Sequence, residues 1–246
     1  MAPAALKVAP AAECCDSYRP RACATAIARM PLVSRNPVRI TRLRFPFAVR
    51  VEAVQGAARL RDVNARRDVR PGDPFVVPAF AHFDCELQAA PGQACTITFE
   101  AVPDTVCPRM NAIHHDKHWS RTLARLVFEH PTTDWNATLL AEQWQVAQRL
   151  VRARLFAEGE ALHPLVREQR TARAFYMLAL SDAATVLPAS RLDLLATQSG
   201  LRSAAAFANA CANLFGIEPA QLLPGTHDGR RTHMPAWAAW PVPATA

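Results

Sequence analysis

The chain has 246 residues, half of them hydrophobic, and a formal charge of +7, which excludes a disordered polypeptide and suits a polyanionic partner. Its apolar stretches are cut by Arg, Pro or Gln well short of the roughly 20 residues a membrane span requires, so no transmembrane helix is expected. Seven cysteines at irregular spacing, with no CxxC pair among them, argue against a secreted disulfide framework and a structural zinc site.

Cys14, Cys15, Cys23, Cys85, Cys95, Cys107 and Cys211 read as reduced thiols, with a redox or metal sensor at Cys14, Cys15 and Cys23 as the alternative. The opening MAPAALKVAPAAECC lacks the apolar core of a secretory signal, and the expected location is the cytoplasm. Charge is uneven: residues 1–118 carry +5, residues 119–223 carry +1 and residues 224–246 carry +1. Phosphate binding by the C-terminal half therefore has to come from local clustering.

Residues 1–37, rich in Ala, Pro and Arg without a period, read as a flexible arm. Its Arg19, Arg21, Arg29 and Arg35 are either solvated charges or contacts for an acidic partner. Residues 38–108 form a β-rich region. VRITRLRF and FAVRVEAVQG alternate apolar with polar residues, RPGDP at Arg70 to Pro74 is a turn, and PFVVPAF and ACTITFEAV follow as strands. The strand spacing points to a small open barrel or a sandwich.

The run VRPGDPFVVPAFAHF resembles the cupin-like sensory half of many bacterial transcription regulators. A catalytic cupin needs several metal-binding imidazoles on neighbouring strands, and only His82 is near. No catalytic residue, metal ligand or cofactor is assigned. The region would bind an effector or a regulatory protein, or support dimerisation. Residues 109–118 form a polar linker; His114 and His118, one helical turn apart with His115 between, leave metal chelation as an alternative.

From Trp119 the pattern is helical. Trp119, Leu123, Leu126 and Val127 make one amphipathic stripe ending near Pro131. Thr133 or Asp134 is expected to cap the next helix, with Trp135, Leu139, Leu140 and Trp144 as its apolar residues. After a turn at Gln145 to Ala147, a helix over 148–157 would place Val151 and Leu155 inward. Gln148, Arg149, Arg152 and Arg154 would then be left outward, free to grip guanine or clamp phosphate unless Glu142 or Glu158 neutralises them.

This segment and the next resemble the DNA-binding domain of the AraC family of bacterial transcription regulators. The likeness runs over 119–223. In the first unit, about 134–159, it rests on Leu140-Ala141, Val146, Arg149, Val151, Arg152, Arg154, Leu155 and Glu158-Gly159; Leu165-Val166-Arg167-Glu168, Arg170 and Ala174 match the connecting helix. In the second, about 192–219, it rests on Leu195-Ala196, Gly200-Leu201, Phe207 and Phe215-Gly216-Ile217-Glu218-Pro219. Ala147 stands where the family usually has a capping Ser, and the link between the units is long and contains Pro188. The second recognition helix, AAAFANACANLF, offers no cation. Only Ala205 and Asn209, with Arg202 in the preceding turn, are left to meet DNA.

The resemblance implies an α+β protein: a small β-barrel, cupin-like N-terminal domain, then an all-α domain with two helix-turn-helix units and a disordered tail over 224–246. It implies a sequence-specific, DNA-binding transcription activator and not an enzyme, with double-stranded DNA and RNA polymerase as partners and homodimerisation as a family-level expectation. The alternative is a protein-interaction or co-regulatory module with weak DNA binding of its own.

Overall fold

A computed structural model describes residues 32–62, 65–90, 92–106, 117–180 and 188–222. Eight strands, β1 (Leu32–Ser34), β2 (Val38–Leu43), β3 (Ala48–Gln55), β4 (Ala57–Arg61), β5 (Arg66–Val69), β6 (Phe75–Val77), β7 (Phe83–Gln88) and β8 (Cys95–Val102), precede six helices. These are α1 (His118–Glu129), α2 (Ala137–Gln143), α3 (Gln148–Ala157), α4 (Leu162–Leu180), α5 (Pro188–Gln198) and α6 (Ala204–Phe215). The chain is thus α+β.

The strands form two antiparallel four-stranded sheets, ordered β1-β8-β3-β6 and β2-β7-β4-β5. Alternation puts Val49, Val51, Ile97 and Phe99 of the first sheet and Ile40, Leu60, Cys85 and Leu87 of the second into one buried cluster. Of the expected open barrel or sandwich, the two sheets match the sandwich: among the described residues no ladder joins them into a closed barrel, so the cupin-like barrel is not formed as such. Strand β1 lies inside the stretch expected to be an arm; three residues are too few to show a period, and pairing with β8 fixes them. Pro71 and Gly72 (φ +80°) make the expected turn, closed by Asp73 N–H donating to Arg70 O at 2.9 Å.

The helices divide between two cores. Leu123, Val127, Trp135, Leu140, Val151, Leu155, Leu162 and Leu165 form one cluster, to which Phe80 alone of the described β-region residues contributes. Phe175, Tyr176, Leu195, Ala196, Phe207, Cys211, Phe215 and Leu222 belong instead to the cluster of the two sheets. Helix α4 runs through both, its first turns in one and its last in the other.

Between the cores lies Arg44, 2% exposed. Its Nε and Nη2 donate to Glu168 at 2.7 and 2.5 Å, and its Nη1 donates to Glu160 at 2.6 Å. The guanidinium lies 4.3 Å from the Phe80 ring centroid. His82 reaches Glu168 at 3.3 Å and Lys117 reaches Glu160 at 3.5 Å. Burial alone would raise the Glu168 pKa, but hydrogen bonds from His82 and Arg44, with the Arg44 charge, outweigh it and hold the carboxyl below its ordinary 4.5.

Residues 1–31, 63–64, 91, 107–116, 181–187 and 223–246 lie outside the described residues, and with them most of the arm, the linker with His114 and His115, Cys14, Cys15, Cys23 and Cys107, and the tail. Pro188 opens α5, where a proline's missing N–H costs nothing. It therefore does not interrupt a link, and the second helical unit begins four residues before the expected 192.

Two predictions follow from this packing. Glu168→Gln leaves Arg44 buried with one carboxylate partner, and urea unfolding should show a loss of about 3 kcal/mol. Because the folded pKa of Glu168 is depressed, its contribution is complete above the ordinary 4.5 and lost as pH falls through the lower folded value. The variant's stability should accordingly fall less steeply than wild type on acidification; parallel profiles would contradict the assignment. At Gly200 (φ +71°) an added Cβ would lie 2.1 Å from Pro131 O, whereas at Gly159 (φ +77°) it meets nothing within 4 Å. Gly200→Ala should cost about 3 kcal/mol in thermal unfolding and Gly159→Ala about 1.

Candidate nucleic-acid interface

Helix α2 starts one residue after Asn136, whose side chain accepts from Leu139 N–H at 2.9 Å. Asn136, not Thr133 or Asp134, is therefore the cap. Trp135 sits just before the helix, buried, with Nε1–H donating to His130 O at 2.9 Å. The helix ends in two bonds, Val146 N–H to Ala141 O at 2.9 Å and Gln145 N–H to Glu142 O at 3.3 Å. This closure needs a left-handed residue, and Gln145 takes it at φ +52°. Helix α3 occupies the expected 148–157, and its N-cap Ala147 makes no side-chain capping bond.

Val151 and Leu155 are fully buried against Leu140 and Ala141. Gln148, Arg149, Arg152 and Arg154 are exposed. Gln148 Nε2 donates to Thr138 Oγ1 at 3.0 Å, which fixes it to α2 beside an open groove of about 490 Å³ lined by Thr138, Glu142, Gln145 and Val146. Neither candidate carboxylate neutralises the arginines. Glu158 accepts the N–H groups of Trp119 and Ser120 at 3.0 and 2.7 Å and the Ser120 hydroxyl at 2.6 Å, capping α1. Among the described residues no carboxylate pairs with Arg149, Arg152 or Arg154.

The second pair of helices repeats the turn with the residue the geometry favours. Leu201 N–H donates to Ala196 O at 2.9 Å and Gly200 N–H to Thr197 O at 3.1 Å, with Gly200 left-handed. Ala196, Phe207 and Phe215 are fully buried, Pro219 is buried, and Gly216 supplies a left-handed C-cap (φ +67°). Ser203 caps α6 by accepting from Ala206 N–H at 3.2 Å, and Asp193 Oδ1 accepts from Ala204 N–H at 2.8 Å. Arg202, Ala205 and Asn209 are exposed. A carboxylate thus sits where a helix N-terminus would otherwise attract phosphate.

Sequence reasoning missed Asn136, Glu158 and Asp193 as capping groups, and it passed over Phe156. An amide residue directly before a helix start is the available signal for the first; Asp193 lies inside α5, eleven residues before the Ala204 it caps. Glu158 caps a helix that begins 40 residues earlier, which no local pattern reveals. The structure keeps the seven expected DNA-facing residues on the surface of two separate helical pairs and their preceding turns.

No protein-family model matches the sequence, and no curated protein matches it. The fold, by contrast, is matched over nearly the whole of a solved protein. ToxT from Vibrio cholerae O395 aligns with 79% of this chain and 97% of its own at TM-score 0.53 and 10% identity. A second structure of ToxT from Vibrio cholerae aligns with 76% of this chain and 94% of its own (TM-score 0.52, 10% identity). Wild-type ToxT from strain SCE256 with a bound unsaturated fatty acid aligns with 80% and 95% (TM-score 0.50, 9% identity). At 10% identity the likeness to ToxT is one of fold: a β-rich half followed by a helical half.

The bare N-cap of α3 supplies a test. Ala147 has extended backbone (φ −69°, ψ 143°), the geometry a capping serine requires. Ala147→Ser should raise stability by about 1 kcal/mol in thermal unfolding.

Proposed function

We propose that this protein is an AraC-family transcription regulator that binds double-stranded DNA through two helix-turn-helix units, α2–α3 and α5–α6. The domains on this reading are the β-rich sensory or oligomerisation half over 38–108 and the DNA-binding half over 119–223. The observation that carries it is the trio Arg149, Arg152 and Arg154, exposed on one ten-residue helix without a carboxylate partner. Helix α3 would enter the major groove, its core face held by Val151 and Leu155, with arginines reaching phosphate or base edges. The neighbouring unit would meet the next groove with Arg202, Ala205 and Asn209. The likeness to ToxT, over 79% of this chain, supports the same reading at the level of the fold. Activation through RNA polymerase, control by an effector or protein at the β-rich half, and a cytoplasmic, homodimeric protein belong to the proposal as its finer parts.

One observation favours a second reading, a co-regulatory module with weak DNA binding. The outward face of α6 holds Ala205, Asn209, Ala212 and Asn213, and Asp193 occupies its N-terminus. Gel shifts on duplexes enriched from a random pool separate the two. Changing Arg149, Arg152 and Arg154 together to Ala should weaken binding by more than about tenfold at moderate salt and flatten the log K against log salt slope by about 2–3. Specific binding that survives the triple change would move the interface off α3. Failure of the wild-type chain to enrich any duplex, with or without partner proteins, would favour the co-regulatory reading.

A further inference from the structure

Helix α3 exposes more than arginine. Phe156 is 82% exposed and Leu150 36%, two of the five large hydrophobic residues most open to water among those described. At 3.6 residues per turn, Val151 and Leu155 define the inward direction and Ala153 stands opposite them. Arg149, Leu150, Phe156 and Ala157 surround Ala153, while Arg152 and Arg154 fall on the two flanks. The outermost surface of this helix is therefore an apolar ridge with one arginine in it, edged on both sides by cations. No acidic residue occurs anywhere in α3.

A phenyl ring left in water forgoes the burial that stabilises such a side chain in a core. The occupant it awaits has to tolerate a guanidinium on either side. A protein partner built for that ridge would need acidic flanks around an apolar centre. The major groove supplies both features in one object. Its walls are phosphate, its roughly 12 Å width admits a helix, and its floor carries one apolar substituent, the thymine 5-methyl group.

We infer that Phe156, with Leu150 and Ala153, reads thymine methyl groups in the major groove, and that Arg152 and Arg154 hold the phosphates on the two walls. This rests on the DNA-binding reading of α3 and names the base it selects. Phe156 is a specificity-determining residue: removing its ring removes discrimination for the methyl group while the flanking charges keep the helix on the duplex. Arg149 remains the residue of the ridge able to meet a polar base edge.

The experiment uses the full chain and duplexes enriched from a randomised pool. In the enriched duplex each thymine is replaced singly by uracil, which deletes the methyl group and keeps the base pair. Wild type should lose affinity about fourfold at one or two adjacent thymines, the worth of one buried methyl group, and Phe156→Ala should lose less than twofold at the same positions. Phe156→Ala should melt with wild type, since the ring is open to water. If no duplex is enriched, the DNA-binding reading falls and this inference with it. If enrichment occurs and the triple arginine change abolishes binding, but uracil has no effect or the same effect in both proteins, the inference alone is overturned. A lower sedimentation mass for Phe156→Ala with unchanged methyl sensitivity would also overturn it, placing the ring against a protein.

Discussion

A buried guanidinium ties the β-rich half of this molecule to the start of its long helix α4. Arg44 follows β2, while Glu160 and Glu168 lie 116 and 124 residues further along, just before and within α4. Isolated at 2% exposure, its charge would be strongly unfavourable; with both carboxylates, the Phe80 ring beneath and His82 and Lys117 at the rim, every partner has to be in place together. Such a cluster contributes more to specifying how the halves dock than to net stability, because each partner removed leaves a charge uncompensated. Phe80 is itself held at φ +62°, its N–H donating to Phe45 O at 2.7 Å, so strained backbone in the β-half fixes the ring on which Arg44 lies.

Much of the helical half was legible because its signals are local. The 148–157 helix follows from Val151 and Leu155 at i and i+4, and the second turn from Gly200. The strands were legible in part. FDCELQ alternates Phe83, Cys85 and Leu87 inward as cleanly as any strand, yet the run is bounded by no strong turn residue and was not picked out. AARLR, which forms β4, turns Ala58 and Leu60 inward but is only five residues long, and RRDV, which forms β5, carries Arg67 at the position where a strand pattern expects an apolar partner to Val69. Their pairing is stabilised by Arg59 with Asp68 at 2.9 Å, which appears only once the strands are side by side. The Arg44 cluster was invisible for the same reason, since nothing in a sequence announces partners more than a hundred residues apart.

The two helical pairs have the same backbone plan and opposite chemistry. Each ends its first helix with the same pair of closing bonds; one uses glycine, while the other forces Gln145 into the left-handed region. Gly200 has no alternative, because Pro131 O occupies the space of its missing Cβ and is also held by Arg170 Nε at 2.7 Å. The outer faces then diverge: α3 carries cations and Phe156, and α6 carries alanine and asparagine. A shared framework with unequal surfaces is expected where core positions are constrained by packing and exposed ones are not.

The division of the cores makes that inequality mechanical as well as electrostatic. Helix α6 packs through Phe207, Cys211 and Phe215 into the cluster that also fills the sandwich, and the Phe175–Phe215 rings meet at 5.9 Å. A change in sheet packing would be felt there directly, through side chains in van der Waals contact. Helix α3 belongs to the other cluster, which touches the sandwich through Phe80, the Arg44 ion pairs and the length of α4. Coupling from the β-half to the cationic helix therefore runs in part through charged groups whose strength depends on their protonation and hydration, beside the apolar paths of Phe80 and α4, whereas coupling to the neutral helix passes through apolar contacts alone.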